Sequence, residues 1–98
     1  MAEIIWTEPA LDQLSDIAEF IALDKPAAAA RLVQRVFDAV ARLERFPNSG
    51  RALSELSATV YREVIVNPSR VIYRKGEGVV YIVHVMRNEQ GLRRYLLE

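Results

Sequence analysis

Cysteine is absent from this 98-residue chain, histidine occurs once, at His84, and only two of the thirteen basic residues are lysines. Without cysteine there is no disulfide framework and no thiolate metal site, and one histidine cannot assemble a zinc centre unless carboxylates supply the rest. A reducing cytoplasm is the expected compartment. No stretch of about 18 apolar residues occurs, so no membrane-spanning helix is expected, and Met1-Ala2-Glu3-Ile4-Ile5-Trp6 lacks the basic and apolar regions of a signal peptide. Nor is there a Gly-rich phosphate loop, since Gly76 and Gly78 are explained by a hairpin turn. His84 has no Ser/Asp constellation at a telling spacing, which argues against a nucleophilic hydrolase.

What the chain does have is apolar residues, 51% of the total, enough for one core. A chain of this size supports a single domain, residues 1–98. Ile4-Ile5-Trp6 reads as a short strand that stops at the helix-start signal Thr7-Glu8-Pro9. Leu11, Leu14, Ile17, Ala18 and Ile21 then recur at helical spacing, which predicts an amphipathic helix over Pro9–Leu23. Asp24 is the expected cap of a second helix, with Pro26 in its first turn. Leu32, Val33, Val36, Val40, Leu43 and Phe46 form its apolar stripe, making it about twenty residues, or about 30 Å, long. The short connection forces an antiparallel helical hairpin.

Pro47-Asn48-Ser49-Gly50 ends that helix, and a loop or a short turn of helix is expected through Leu56. From Val60 the period changes to two. Strands are predicted at Tyr61–Asn67, Ser69–Lys75 and Val79–Arg87, broken by Asn67-Pro68 and Gly76-Glu77-Gly78. The last is the longest and most apolar, so a central place in the sheet is expected for it. Val83 and Val36 are expected in the shared core. The reading is α+β, in the order β-α-α-β-β-β, with the helical hairpin on one face of a small, mainly antiparallel sheet.

Charge divides along the chain. Residues 1–50 hold five Lys/Arg against eight Asp/Glu, a net of −3, and residues 51–98 hold eight against five, a net of +3, so the overall balance of zero conceals a polar molecule. The predicted strands carry Arg62, Arg70, Arg74 and Arg87, and Arg93, Arg94 and Tyr95 follow. A planar guanidinium suits bidentate contact with carboxylate or phosphate, and stacking on flat groups. Converging on one sheet face, these arginines could hold an RNA backbone, with Tyr61, Tyr73 or Tyr95 stacking or moving a proton. They could equally clamp acidic side chains of a protein partner. Simple alternation groups His84 with Val80, Ile82 and Met86, as a half-buried and satisfied histidine. Asp12, Asp16 and Glu19 are spaced to share a helix face, yet no second acidic cluster completes a metal shell, so no metal or other cofactor is expected.

Several pieces together resemble the RelE/ParE superfamily of type II toxins. They are Ala10-Leu11-Asp12-Gln13-Leu14-Ser15-Asp16-Ile17, Leu43-Glu44-Arg45-Phe46-Pro47-Asn48-Ser49-Gly50-Arg51, Tyr61-Arg62-Glu63, Arg70-Val71-Ile72-Tyr73-Arg74 and Val79–Arg87. The resemblance covers nearly the whole chain, and its Pro-x-x-Gly-Arg element, basic strand and Ile-Tyr-Arg strand are fairly specific. It implies a cytoplasmic toxin that causes growth arrest and is neutralised by a cognate antitoxin, with higher-order toxin–antitoxin complexes. Two activities live on this fold. A RelE-like member would cut mRNA on the ribosome, here with Arg62, Arg70, Arg87 and Tyr95. A ParE-like member would poison DNA gyrase and block replication without catalysis. Val64 stands where a second lysine is often found, and Arg93 where a tyrosine is expected, with Tyr95 displaced by two. Those departures and the near-neutral charge favour the ParE-like subgroup. The residues implied for target or antitoxin binding are Arg62, Arg70, Arg74, Arg87, Arg93, Arg94 and Tyr95. A non-toxic binding module of the same fold is the third reading.

Overall fold

Branched and aromatic side chains at Ile4, Ile5 and Trp6 set the first strand, β1 (Glu3–Trp6), in the computed structural model, which describes residues 1–53 and 60–88. Thr7 both ends this strand and starts the first helix. Its N–H and hydroxyl donate to the Ile82 carbonyl at 3.0 and 2.7 Å, and its Oγ1 accepts from the Ala10 N–H at 3.4 Å. Helix α1 (Glu8–Ala22) follows, with Pro9 in its first turn, where a missing N–H costs nothing. Leu11, placed by its spacing on the apolar stripe, is instead 42% exposed, while Ala10 and Leu14 are buried.

Helix α2 (Pro26–Ala41) begins without the expected Asp24 cap. Its N-cap is Lys25, and no side chain caps it. The N–H groups of Asp24 and Lys25 are both turned back onto the Ile21 carbonyl, which puts Asp24 one residue too early. The helix has 16 residues and then tightens into a 3₁₀ turn at Arg42–Glu44. That turn shifts the phase of the stripe, so Leu43 stays buried while Phe46 is 61% exposed.

Five strands form one sheet in the order β1-β5-β4-β3-β2, where β2 is Arg51–Ala52, β3 is Tyr61–Val66, β4 is Ser69–Lys75 and β5 is Val79–Arg87. β1 runs parallel to β5, and every other pairing is antiparallel. β2 falls where a loop or short turn of helix was expected; two residues are too few to show a period. β5 is interior but β4 is the middle strand, and the first five residues of β4 are all buried. The apolar character of β5 reflects neighbours on both sides of only its first half, since β1 ends opposite Ile82.

Both helices cover one face. Ala10 and Leu14 from α1, and Leu32, Val36 and Val40 from α2, pack on Val66, Val71, Tyr73, Val80, Ile82 and Val85. A smaller cluster of Leu53, Ile72 and Met86, flanked by Tyr61 and Val83, occupies the opposite face. Val83 therefore sits in the second cluster and not in the helix-covered core. Alternation from the core-facing Ile82 puts it there, and a register step falls at the same residue: Ile72 is opposite His84 and Tyr73 opposite Ile82, leaving Val83 as one extra residue in β5. Beyond it the alternation inverts, so His84 and Met86 do not share the face of Val80 and Ile82. Among the described residues no helix is long and apolar enough to cross a membrane. Val36 is 0% exposed, so Val36→Ala is expected to lower the unfolding free energy by on the order of 1–3 kcal/mol in urea titration, with an unchanged m-value.

Candidate functional site

Successive side chains of a strand point to opposite faces, and this divides the arginines into two groups. Arg62 lies in phase with Val64 and Val66, under the helices. Arg70 and Arg74 lie in phase with Ile72, on the helix-free face. Arg87, at the end of β5, is on the helix side, where it lines a groove of about 440 Å³ with Asp16, Ile17, Phe20, Ile21 and Pro68. The expected convergence of all four guanidiniums on one face therefore does not occur. Arg93, Arg94 and Tyr95 lie outside the described residues, as does the part of the expected loop from Ser54 to Leu56.

Two of the arginines are engaged inside the fold. Glu63 on β3 has a side chain 1% exposed, and it is bracketed by Arg51 on β2 and Arg70 on β4. Arg51 Nε donates to Glu63 Oε1 at 2.6 Å, and Arg70 donates to Oε2 from Nε at 2.9 Å and from Nη2 at 2.5 Å. The Arg70 side chain is itself only 6% exposed, whereas that of Arg51 is 70% exposed. Arg62 Nη1 donates to the Gly50 carbonyl at 2.8 Å. Beside it, the Tyr73 hydroxyl accepts from the Gly50 N–H at 2.9 Å and donates to the Pro47 carbonyl at 2.8 Å.

The Pro47–Arg51 element is thus a clasp, with Pro47, Gly50 and Arg51 each bound to strand residues. Only glycine fits at its centre. A Cβ on Gly50 would stand 2.5 Å from the Tyr73 ring and hydroxyl, and 2.8 Å from the Glu63 carbonyl oxygen. Burial pushes the Tyr73 hydroxyl above its ordinary value, against smaller opposing effects of the Gly50 N–H and the Arg62 charge. As a neutral phenol it donates and accepts at once, joining Pro47 and Gly50 to β4. Reading the arginines one at a time missed the partners. The adjacency of Arg62 to Glu63 and the glycine before Arg51 were the available signals.

Arg74 has different company. Its guanidinium carbon lies 4.6 Å from the centre of the Tyr81 ring, a cation–π contact between residues paired across β4 and β5. His84, on the far side of the register step, is half-buried and satisfied, as expected. Gln13 of α1 accepts the Val85 N–H at 2.8 Å through Oε1, so its amide nitrogen faces His84 Nδ1 at 2.9 Å. That orientation makes Gln13 the donor and leaves Nδ1 unprotonated. Asp12, Asp16 and Glu19 are exposed on α1, and among the described residues no group of three His, Asp or Glu side chains could hold a metal ion.

The helical hairpin on a five-stranded sheet, with the Pro47–Arg51 clasp locked to the strands, coincides with a known pattern. Residues 4–92 match the family described as ParE toxin of type II toxin–antitoxin system, parDE. This chain belongs to the ParE toxin family. It is 36% identical over 86 residues to Toxin RelE2 of Caulobacter vibrioides, an alignment spanning 87% of this chain and 93% of that protein. A chain solved as part of the chromosomal ParDE TA system from P. aeruginosa superposes with a TM-score of 0.76, covering 91% of this chain and 98% of that one. At 22% identity that likeness speaks for the fold. The chain is accordingly a type II toxin of the RelE/ParE superfamily, a class that pairs with a protein antitoxin.

Two expectations follow for this ParE-family chain. Glu63→Ala removes the carboxylate paired with the buried Arg70 guanidinium, and a loss of about 3–5 kcal/mol in chemical denaturation is expected; a loss below about 1 kcal/mol would show that other groups serve Arg70 equally well. The second concerns acid. Burial lowers the His84 pKa below its ordinary value, so the unfolded chain binds the proton more tightly than the folded one. The corresponding stability is fully present above about pH 6.5 and is lost as pH falls below that value through the folded pKa. With one histidine in the sequence, His84→Gln is expected to flatten the dependence of melting temperature on pH just below about 6.5.

Proposed function

We propose that this chain, acting as one domain over residues 1–98, is a ParE-like toxin that inhibits DNA gyrase, blocks replication and arrests growth. Its compartment in this reading is the cytoplasm, and its cognate antitoxin holds it inactive. The observation that carries the choice is the engagement of Arg62 and Arg70 within the scaffold. A ribosome-dependent nuclease needs guanidiniums aimed at a scissile phosphate, and these two are aimed at the Gly50 carbonyl and the Glu63 carboxylate. The formal charge of zero adds support, because a nuclease of the ribosome gains affinity from a strong basic field. Contacts with target and antitoxin are assigned to Arg74, Arg87, Arg93, Arg94 and Tyr95, with Arg62 and Arg70 acting through the strands they brace.

The designation RelE2 of the Caulobacter relative favours one alternative, mRNA cleavage by Arg62, Arg70, Arg87 and Tyr95. A gyrase supercoiling assay beside a ribosome-dependent mRNA cleavage assay separates the two. Inhibited supercoiling, abolished by removal of Leu92–Glu98 with the fold intact, is the expected result. Cleaved ribosome-bound mRNA with untouched supercoiling would overturn it. In that case Arg87→Ala would remove about 2.7–4 kcal/mol of transition-state stabilisation.

A further inference from the structure

The pairing registers place four side chains in one row across four strands. Ile5 is opposite Tyr81, Tyr81 opposite Arg74, and Arg74 opposite Tyr61. All four lie on the helix-free face: Tyr61 packs on the Ile72 cluster there, Arg74 is two residues from Ile72, and Ile5 alternates with the core-facing Ile4 and Trp6. The row is open. Ile5 is 36% exposed, and Tyr61, Arg74 and Tyr81 are part-exposed.

Arg74 also differs from Arg62 and Arg70. Among the described residues it has neither a hydrogen-bond acceptor nor a carboxylate partner, only the Tyr81 ring. The ring covers one face of the guanidinium and restrains it, so its N–H edge is pre-positioned for a bidentate acceptor at little further entropic cost. Tyrosine and arginine grouped on a partly accessible face is the composition of a binding hot spot.

We propose that this row is a docking site for an acidic segment of the antitoxin, with Arg74 receiving a carboxylate between Tyr61 and Tyr81. The inference rests on the reading of the chain as a toxin with a protein antitoxin, and it selects one anchor among the seven candidate residues. Charge complementarity supports an acidic occupant, since residues 51–98 carry a net charge of +3. An antitoxin is the partner bound at rest, and so the one able to satisfy a restrained guanidinium that the isolated chain leaves without an acceptor among its described residues. A nucleic acid fits less well, because the overall charge is zero and the row holds a single cation.

The test uses the toxin co-purified with the antitoxin encoded beside it, and measures affinity by calorimetry at two salt concentrations. Arg74→Glu is expected to raise Kd at least about tenfold and to reduce the salt dependence. Arg74→Lys, which keeps the charge but loses the fork, should fall between that variant and the wild type. A melting curve for each variant reports folding, and should Arg74→Glu unfold, Arg74→Lys decides. Unchanged Kd and salt slope in folded variants would overturn the proposal. So would a variant that keeps antitoxin affinity yet no longer arrests growth, since Arg74 would then belong to the target contact. If the wild-type chain forms no complex with the neighbouring gene's product, the antitoxin reading falls too. A wild-type complex indifferent to Arg74 removes only the row.

Discussion

The Glu63 carboxylate is the point through which the far side of the sheet is organised. It draws β2 onto β3 through Arg51, and it ties β4 to β3 through Arg70. A charge this deeply buried is tolerable only because both oxygens are engaged by guanidiniums; an unpaired carboxylate there would carry a large desolvation cost. Two residues are very little for an edge strand. The ion pair and the Gly50–Tyr73 hydrogen bond add to its pairing with β3 in holding Arg51–Ala52 in place.

The same short element is gripped from the other face. Arg62 and Tyr73, opposite each other on β3 and β4, both reach Gly50, one through its carbonyl and one through its N–H. The Pro47–Arg51 segment thus couples the end of the helical hairpin to both faces of the sheet. A motif that reads as a family signature is in physical terms a joint, and its glycine is set by the tyrosine ring pressed against it.

Much of this architecture was legible in the residues. The strand at Ile4–Trp6, the helical hairpin, the three strands after Val60 and their turns all follow from periodicity and turn chemistry, which are local signals. What escaped was non-local. The two-residue β2 has no period to detect and is held by Glu63, Arg62 and Tyr73. The register step at Val83 reverses the faces of His84 and Met86, and it is stabilised by Gln13, a residue 71 positions away from His84. The arginines were visible as a set, and their common face was the wrong inference, because alternation separates Arg62 from Arg70 and Arg74. Their roles depended on acceptors, Glu63 and the Gly50 carbonyl, that a count of cations does not reveal.

The parallel pairing of β1 with β5 has a consequence for the order in which the chain becomes a toxin. Thr7 bonds to Ile82, 75 residues later, and β1 has no strand neighbour other than β5 among the described residues. On the ribosome, β1 emerges well before β5 and must wait for the intervening helices and strands before its partner exists. Contacts of such long sequence separation close slowly and late. The sheet is therefore completed only after β5 has been made, and a nascent chain cut short before Val79 lacks an interior strand of its sheet altogether.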